Sequence, residues 1–138
     1  MPVRKANAEW NGDLKSGDGI MKFGSGAFEG AFSFKSRFEN GRGTNPEELI
    51  AAAHAGCYSM AFSNELDQAG HTPDSVETNA EVTIKEEGIT ESHLNVTASV
   101  AGIEENEFMQ IARSAKENCP VSKALQGVNI TLDASLKS

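Results

Sequence analysis

The chain has 138 residues, 38% hydrophobic and 23% charged with only 4 prolines, which is the profile of one globular domain and excludes a disordered chain. Its 20 acidic residues against 12 basic ones give a formal charge of -8, so phosphate backbones and anionic lipid surfaces are excluded as expected partners. The amino end lacks a signal-peptide core, and the most apolar segment, 49–62, contains His54 and Ser59 and falls short of a bilayer span, so no membrane association is expected and the expected location is the cytoplasm.

Residues 6–38 alternate short apolar runs with glycines and predict antiparallel strands joined by Gly-rich turns. The pieces Gly17-Asp18-Gly19 and Gly24-Ser25-Gly26 read as turns, because neither leads into a helix pattern carrying Lys-Ser/Thr as a phosphate loop requires. A helix is predicted over 46–69, stopping at Gly70. Asn45 suits the N-cap, Pro46 the first helical position, and Glu47 and Glu48 the positive end of the dipole, with Glu48 able to complete a capping box. Its middle is apolar or small on nearly every side, which predicts burial all round. Strands follow over 76–85 and 93–101 with a turn at 86–88, then a helix over 104–118, a short helix over 120–125 behind Pro120, and a strand over 128–132. The class is α+β, with a mainly antiparallel sheet wrapped around a long buried central helix.

Two cysteines in a reducing compartment are either inert core residues or redox-active ones, since a permanent disulfide is not expected there. Cys57 lies mid-helix, where the ordinary reading is a small hydrophobe. Burial alone would raise its pKa, so reactivity needs a cation, and His54 one turn earlier, Arg37 and Arg42 are the candidates. Cys119 precedes Pro120 at a helix start, where electrostatics lowers a thiol pKa. Local sequence leaves open which cysteine attacks. The two stand 62 positions apart, so neither a CxxC redox motif nor a zinc knuckle is present. His54, His71 and His93 have no metal-binding spacing, and no Ser/His/Asp signature is visible.

The segment Thr44-Asn45-Pro46-Glu47-Glu48-Leu49-Ile50-Ala51-Ala52-Ala53-His54-Ala55-Gly56-Cys57, followed far along by Asn118-Cys119-Pro120-Val121-Ser122-Lys123-Ala124-Leu125, resembles the OsmC/Ohr family of osmotically inducible and organic hydroperoxide resistance proteins. Ser36-Arg37-Phe38-Glu39 and Asn129-Ile130-Thr131-Leu132-Asp133 match as well, so the resemblance covers essentially the whole chain. His54 and the Arg37-Phe38-Glu39 run make it more similar to the OsmC branch. The resemblance implies an intertwined α+β homodimer with active sites shared at the subunit interface. It implies a thiol peroxidase that reduces organic hydroperoxides to alcohols without haem, metal or flavin. It also implies that Cys57 is the peroxidatic thiol and Cys119 the resolving one, with Arg37 and Glu47 orienting and activating the thiolate. An external dithiol, in the family a lipoylated protein, would reset the pair.

Ten positions separate Glu47 from Cys57, about 15 Å along a helix axis and on a different face. An unbroken helix therefore keeps Glu47 away from the thiol of its own chain, and Arg37 and Glu47 are expected to serve the thiol of the other subunit. Two alternatives stand beside the peroxidase: a non-catalytic stress-induced protein that binds a small ligand on the same fold, and a general dithiol–disulfide oxidoreductase, which the absence of CxxC spacing disfavours.

Overall fold

Aromatic pairs and a close backbone approach build the first of two units, which ends at Leu49, in a computed structural model describing residues 2–137. Strands β1 (Ala6–Asn11), β2 (Asp18–Phe23) and β3 (Glu29–Phe32) form an antiparallel sheet in that order. Gly19 of β2 pairs with Trp10 on one side and Phe32 on the other. A Cβ there would lie 2.6 Å from the Phe32 ring, so only glycine lets the Trp10 and Phe32 rings meet, with centroids 5.3 Å apart. The turn expected at 17–19 thus ends earlier, because Asp18 and Gly19 already belong to β2.

The strand pattern expected to run to residue 38 stops at Phe32, and Phe34–Phe38 form a short helix, α1. The reason is local. Ser33 and Ser36 make a reciprocal capping box, Ser36 N–H donating to Ser33 Oγ at 3.1 Å and Ser33 N–H to Ser36 Oγ at 2.8 Å. The Phe34 and Phe38 rings then meet at a tilt one turn apart, 5.0 Å between centroids. Helix α2 (Pro46–Gln68) starts as expected, with Glu48 N–H donating to Asn45 Oδ1 at 2.7 Å. The box is completed differently: the Glu48 carboxylate accepts from the Thr44 hydroxyl at 2.7 Å. The Asn45 amide also donates to the Ser36 carbonyl at 2.9 Å, tying the end of α1 to the start of α2.

In the unit beginning at Ile50, β4 (Ser75–Lys85), β5 (Gly88–Ser99) and β6 (Asn129–Lys137) form one sheet with β5 in the middle. The β4–β5 pair is antiparallel and the β5–β6 pair parallel. The parallel pair needs a crossover, supplied by α3 (Glu105–Asn118) and α4 (Pro120–Ala124). β5 begins five residues before its expected start, because 88–92 is mostly polar; its inward positions Ser92, Leu94, Val96 and Ala98 are all buried. They meet Tyr58, Phe62 and Leu66 of α2 and Phe108, Ala112 and Ala115 of α3. Phe62 packs edge-on to Phe108 at 5.4 Å, and burying each such side chain contributes about 1.5–3 kcal/mol.

Expected to be enclosed on every side, α2 is covered along one stripe within the chain. His54, Tyr58, Phe62 and Leu66, four residues apart, are fully buried, while Ala53, Gly56 and Asn64 are exposed and Met60 is 76% exposed. Small residues on the open side give the core little to cover. His54 is the polar member of the buried stripe. Its Nδ1 lies 2.7 Å from Ser92 Oγ on β5 and its Nε2 2.8 Å from Ser122 Oγ on α4. Burial holds the imidazole pKa below its usual value.

Two stability outcomes follow from these contacts. Asn45→Ala removes the α2 cap and should cost about 1 kcal/mol in urea denaturation. His54 with a lowered folded pKa adds no penalty above pH 6.5, where the ring is neutral whether folded or not. As pH falls through 6.5 the unfolded chain takes up a proton that the folded chain refuses, so stability drops with falling pH until the folded pKa is passed. Denaturation curves between pH 8 and pH 5 should show that drop, and it should be shallower in His54→Gln.

Candidate active site

Sequence reading named four residues, and they occur as two pairs, one in each unit. The first pair is Arg37 and Glu47. Arg37 occupies the last turn of α1, which the serine box fixes, and Glu47 the first turn of α2, which Asn45 fixes. Arg37 Nε donates to Glu47 Oε1 at 3.1 Å and Nη2 to Oε2 at 2.9 Å. This is the bidentate fork that sets a guanidinium's orientation as well as its position. The Glu47 side chain is 7% exposed and that of Arg37 36%, so the carboxylate is the anchored partner. The guanidinium also lies against the Phe38 ring, 5.2 Å from its centroid. Beside it opens an apolar recess of about 220 Å³ walled by Trp10, Leu14, Phe32, Phe34 and Phe38.

Cys57 and Cys119 form the second pair. The chain fold brings together two thiols that stand 62 positions apart: Cys57 packs against the core that contains Cys119, near enough that the Cys119 thiol and the Val121 backbone N–H both shift its ionisation. Both cysteines are free, Cys57 half-buried and Cys119 fully buried. Burial pushes the Cys57 pKa up, the Val121 N–H pulls it down, and the Cys119 thiol pushes it up again. Among the described residues of its own unit, no cation lowers the pKa of that sulfur.

His54 is not that cation. Both of its ring nitrogens are turned to serines and burial disfavours its charged form. Arg42, the other upstream candidate, is solvent-exposed. Cys119 does occupy the N-cap of α4, but its side chain makes no capping bond, and a helix of five residues has little dipole to offer. Three participants escaped the sequence reading: Ser92, Ser122 and the Val121 N–H. Ser92 could have been found from its inward place in the β5 alternation, and Ser122 from standing three residues beyond Cys119. Among the described residues no group of three or more His, Cys, Asp or Glu is placed to hold a metal ion. A recess of about 670 Å³ bordered by Asn64, Asp67, Thr72 and Asp74 contains none of the four candidates. No helix among the described residues is long and apolar enough to cross a membrane.

Comparisons with known proteins show the family. Residues 39–133 match the family model described as OsmC-like protein. The chain is 44% identical over 140 residues to Peroxiredoxin OsmC of Escherichia coli (strain K12), covering 98% of this chain and 97% of that one. It is 33% identical over 101 residues to an organic hydroperoxide resistance protein-like protein of Staphylococcus aureus (strain USA300), covering 70% and 71%. Two solved structures share the fold: an OsmC-like protein from Mycoplasma pneumoniae, with a TM-score of 0.78 at 14% identity over 99% of each chain, and the organic hydroperoxide resistance protein OhrB of Bacillus subtilis, with a TM-score of 0.65 at 21% identity over 96% of this chain and 98% of that one. With the family model spanning most of its length and a relative at 44% identity over nearly all of it, the chain belongs to the OsmC-like protein family.

Proposed function

We propose that the protein is a thiol peroxidase that reduces organic hydroperoxides to alcohols, with Cys57 as the attacking thiol and Cys119 as the resolving one. The observation that carries this reading is the contact between a half-buried Cys57 thiol and a fully buried Cys119 thiol from a distant part of the sequence. A substrate can reach the first sulfur, and the second waits behind it. The relative named a peroxiredoxin and those named for organic hydroperoxide resistance support the same chemistry.

The Cys57 thiolate attacks the terminal oxygen of R–O–OH. The O–O bond breaks, the alkoxide takes a proton and leaves as the alcohol, and the sulfur, oxidised by two electrons, becomes a sulfenic acid. The Cys119 thiol displaces hydroxide from that sulfur, which leaves with the thiol proton as water, and a Cys57–Cys119 disulfide forms. An external dithiol is oxidised in turn as it restores both thiols by exchange. A lipoylated protein is the expected donor.

The thiolate needs a cation that its own unit does not supply. Arg37 is the proposed source, held by Glu47 so that it stabilises the sulfur anion and polarises the peroxide. Helix α2 runs unbroken from Pro46 to Gln68, the condition under which ten positions amount to about 15 Å. The active unit is accordingly a homodimer in which Arg37 and Glu47 of one copy serve Cys57 of the other. The aromatic recess beside Arg37 suits an alkyl or aryl group better than hydrogen peroxide.

Cumene hydroperoxide consumption with a dithiol should vanish in Cys57→Ser. Cys119→Ser should complete one turnover and stop at a trappable sulfenic acid. Peroxide loss unaffected by Cys57→Ser would eliminate Cys57 as the attacking thiol, and no consumption by the unsubstituted protein would favour a non-catalytic ligand-binding role. Insulin reduction should be absent, which separates the protein from a general disulfide oxidoreductase. Sharing of sites is read from mixed dimers. Cys57→Ser and Arg37→Ala should each be inactive alone, and co-assembly should restore activity, because one of the two sites then holds both an intact thiol and an intact arginine. Mixed dimers as inactive as their parents would place Arg37 in the same chain as the thiol it serves.

A further inference from the structure

The buried stripe of α2 carries a histidine where a leucine would fill the same place without a polar cost. The site already described does not account for it. Four residues form two cross-links of equal spacing between α2 and the segment that opens α4. His54 meets Ser122, and three residues later on α2 Cys57 packs against the core beside Cys119, three residues earlier on the other segment. Positions i and i+3 are neighbours on a helix surface, so the hydrogen bond sits one turn from the sulfur pair. The two segments run past each other in opposite directions.

Each part of the histidine link is held. His54 is fully buried and Ser122 is 5% exposed. The second ring nitrogen is taken by Ser92 on the central strand β5, so the ring cannot turn without losing two bonds at once. A neutral imidazole donates at one nitrogen and accepts at the other, and serine hydroxyls answer either role. The ring is thus a rigid spacer of fixed length between β5, α2 and α4. Between the two cross-links lies Val121, whose backbone N–H is near enough to the Cys57 sulfur to lower its pKa.

We propose that His54, acting through Ser122, is a positioning residue of the thiol pair: it fixes the register of the Cys119–Ser122 segment against α2, so that the Val121 N–H and the Cys119 sulfur both meet the sulfur of Cys57. A leucine at position 54 would fill the core and leave that segment free to slide. A shift of one ångström would take the N–H off the sulfur and lengthen the path for disulfide closure. The chemical purpose of the device rests on Cys57 as the reacting thiol; its geometry does not.

The test separates these two. In a Cys119→Ser background, where Cys57 is the lone thiol, the rate of alkylation by iodoacetamide is followed from pH 5 to pH 10. Ser122→Ala should slow alkylation at pH 7 by about tenfold, which is one unit of thiol pKa, and Ser122→Thr should restore it to within about twofold because the hydroxyl returns. With Cys119 present, one equivalent of cumene hydroperoxide should leave a dimedone-trappable sulfenic acid that lasts about tenfold longer in Ser122→Ala, as expected where a small misplacement slows a step of fixed geometry. Tyr58→Phe is the control. It removes another buried bond between helices, Tyr58 Oη to the Ala112 carbonyl at 2.9 Å, and should lower the melting temperature while leaving the alkylation profile in place. Should Ser122→Ala fail to fold, His54→Gln gives the same readouts. Unchanged alkylation in Ser122→Ala, or an equal slowing in Tyr58→Phe, overturns the proposal. A protein that consumes no hydroperoxide yet shows the Ser122 effect overturns the peroxidase reading alone.

Discussion

A sulfur anion inside an apolar helix is expensive, and the proposed chemistry turns on what offsets that cost at Cys57. Burial raises the thiol pKa, and a single backbone N–H, that of Val121, works against it. One neutral donor offsets only part of the loss of water around a charge. A reactive Cys57 therefore requires a positive group, and among the described residues Arg37 is a guanidinium held in a two-point bond. The proposed sharing of sites between two copies grows out of this requirement. It is a consequence of desolvation before it is a matter of family likeness.

Pairing Arg37 with Glu47 has a cost of its own, since a carboxylate in bidentate contact cancels part of the field that the arginine projects. What it gains is direction. A free arginine samples many rotamers, whereas one forked to a buried carboxylate keeps its remaining N–H groups pointing one way. The surroundings serve the same end. Ser33 and Ser36 make a helix of only five residues hold its shape, Ser36 Oγ donates to the Thr44 carbonyl at 2.7 Å, and Asn45 ties the two helices together. A loop of ordinary mobility would leave the cation unfixed and the electrostatic gain averaged away.

Features fixed by neighbours in the sequence were the legible ones. Asn45-Pro46-Glu47 marked the start of α2, Gly70 its end and Pro120 the start of α4, and each of these signals acts within four residues. Strands with clear alternation, such as β4, were read to within one residue. The misread segments depended on something further off or on weak local chemistry. Phe34–Phe38 looked like strand because two phenylalanines flank it, and the reciprocal serine box that makes it helical is a weak signal in sequence. The parallel pairing of β6 with β5 is a tertiary fact that no local pattern states. The family resemblance singled out Cys57, Cys119, Arg37 and Glu47, but periodicity could not tell a histidine that supplies charge from one whose charged form burial disfavours between two serines. That distinction rests on Ser92, 38 positions away, and Ser122, 68 positions away.

Unequal burial of the two thiols also orders the return half of the proposed cycle. A reductant can attack only a sulfur it reaches, and Cys119 is fully buried whereas Cys57 is not. The mixed disulfide therefore forms on Cys57, with Cys119 as the leaving thiolate. That thiolate departs into the interior beside the core it already touches, where an anion is poorly tolerated, so its proton has to return as the bond breaks. In the proposed cycle the order of attack is thus set by access, with one half-buried sulfur meeting both the peroxide and the reductant while its fully buried partner meets neither.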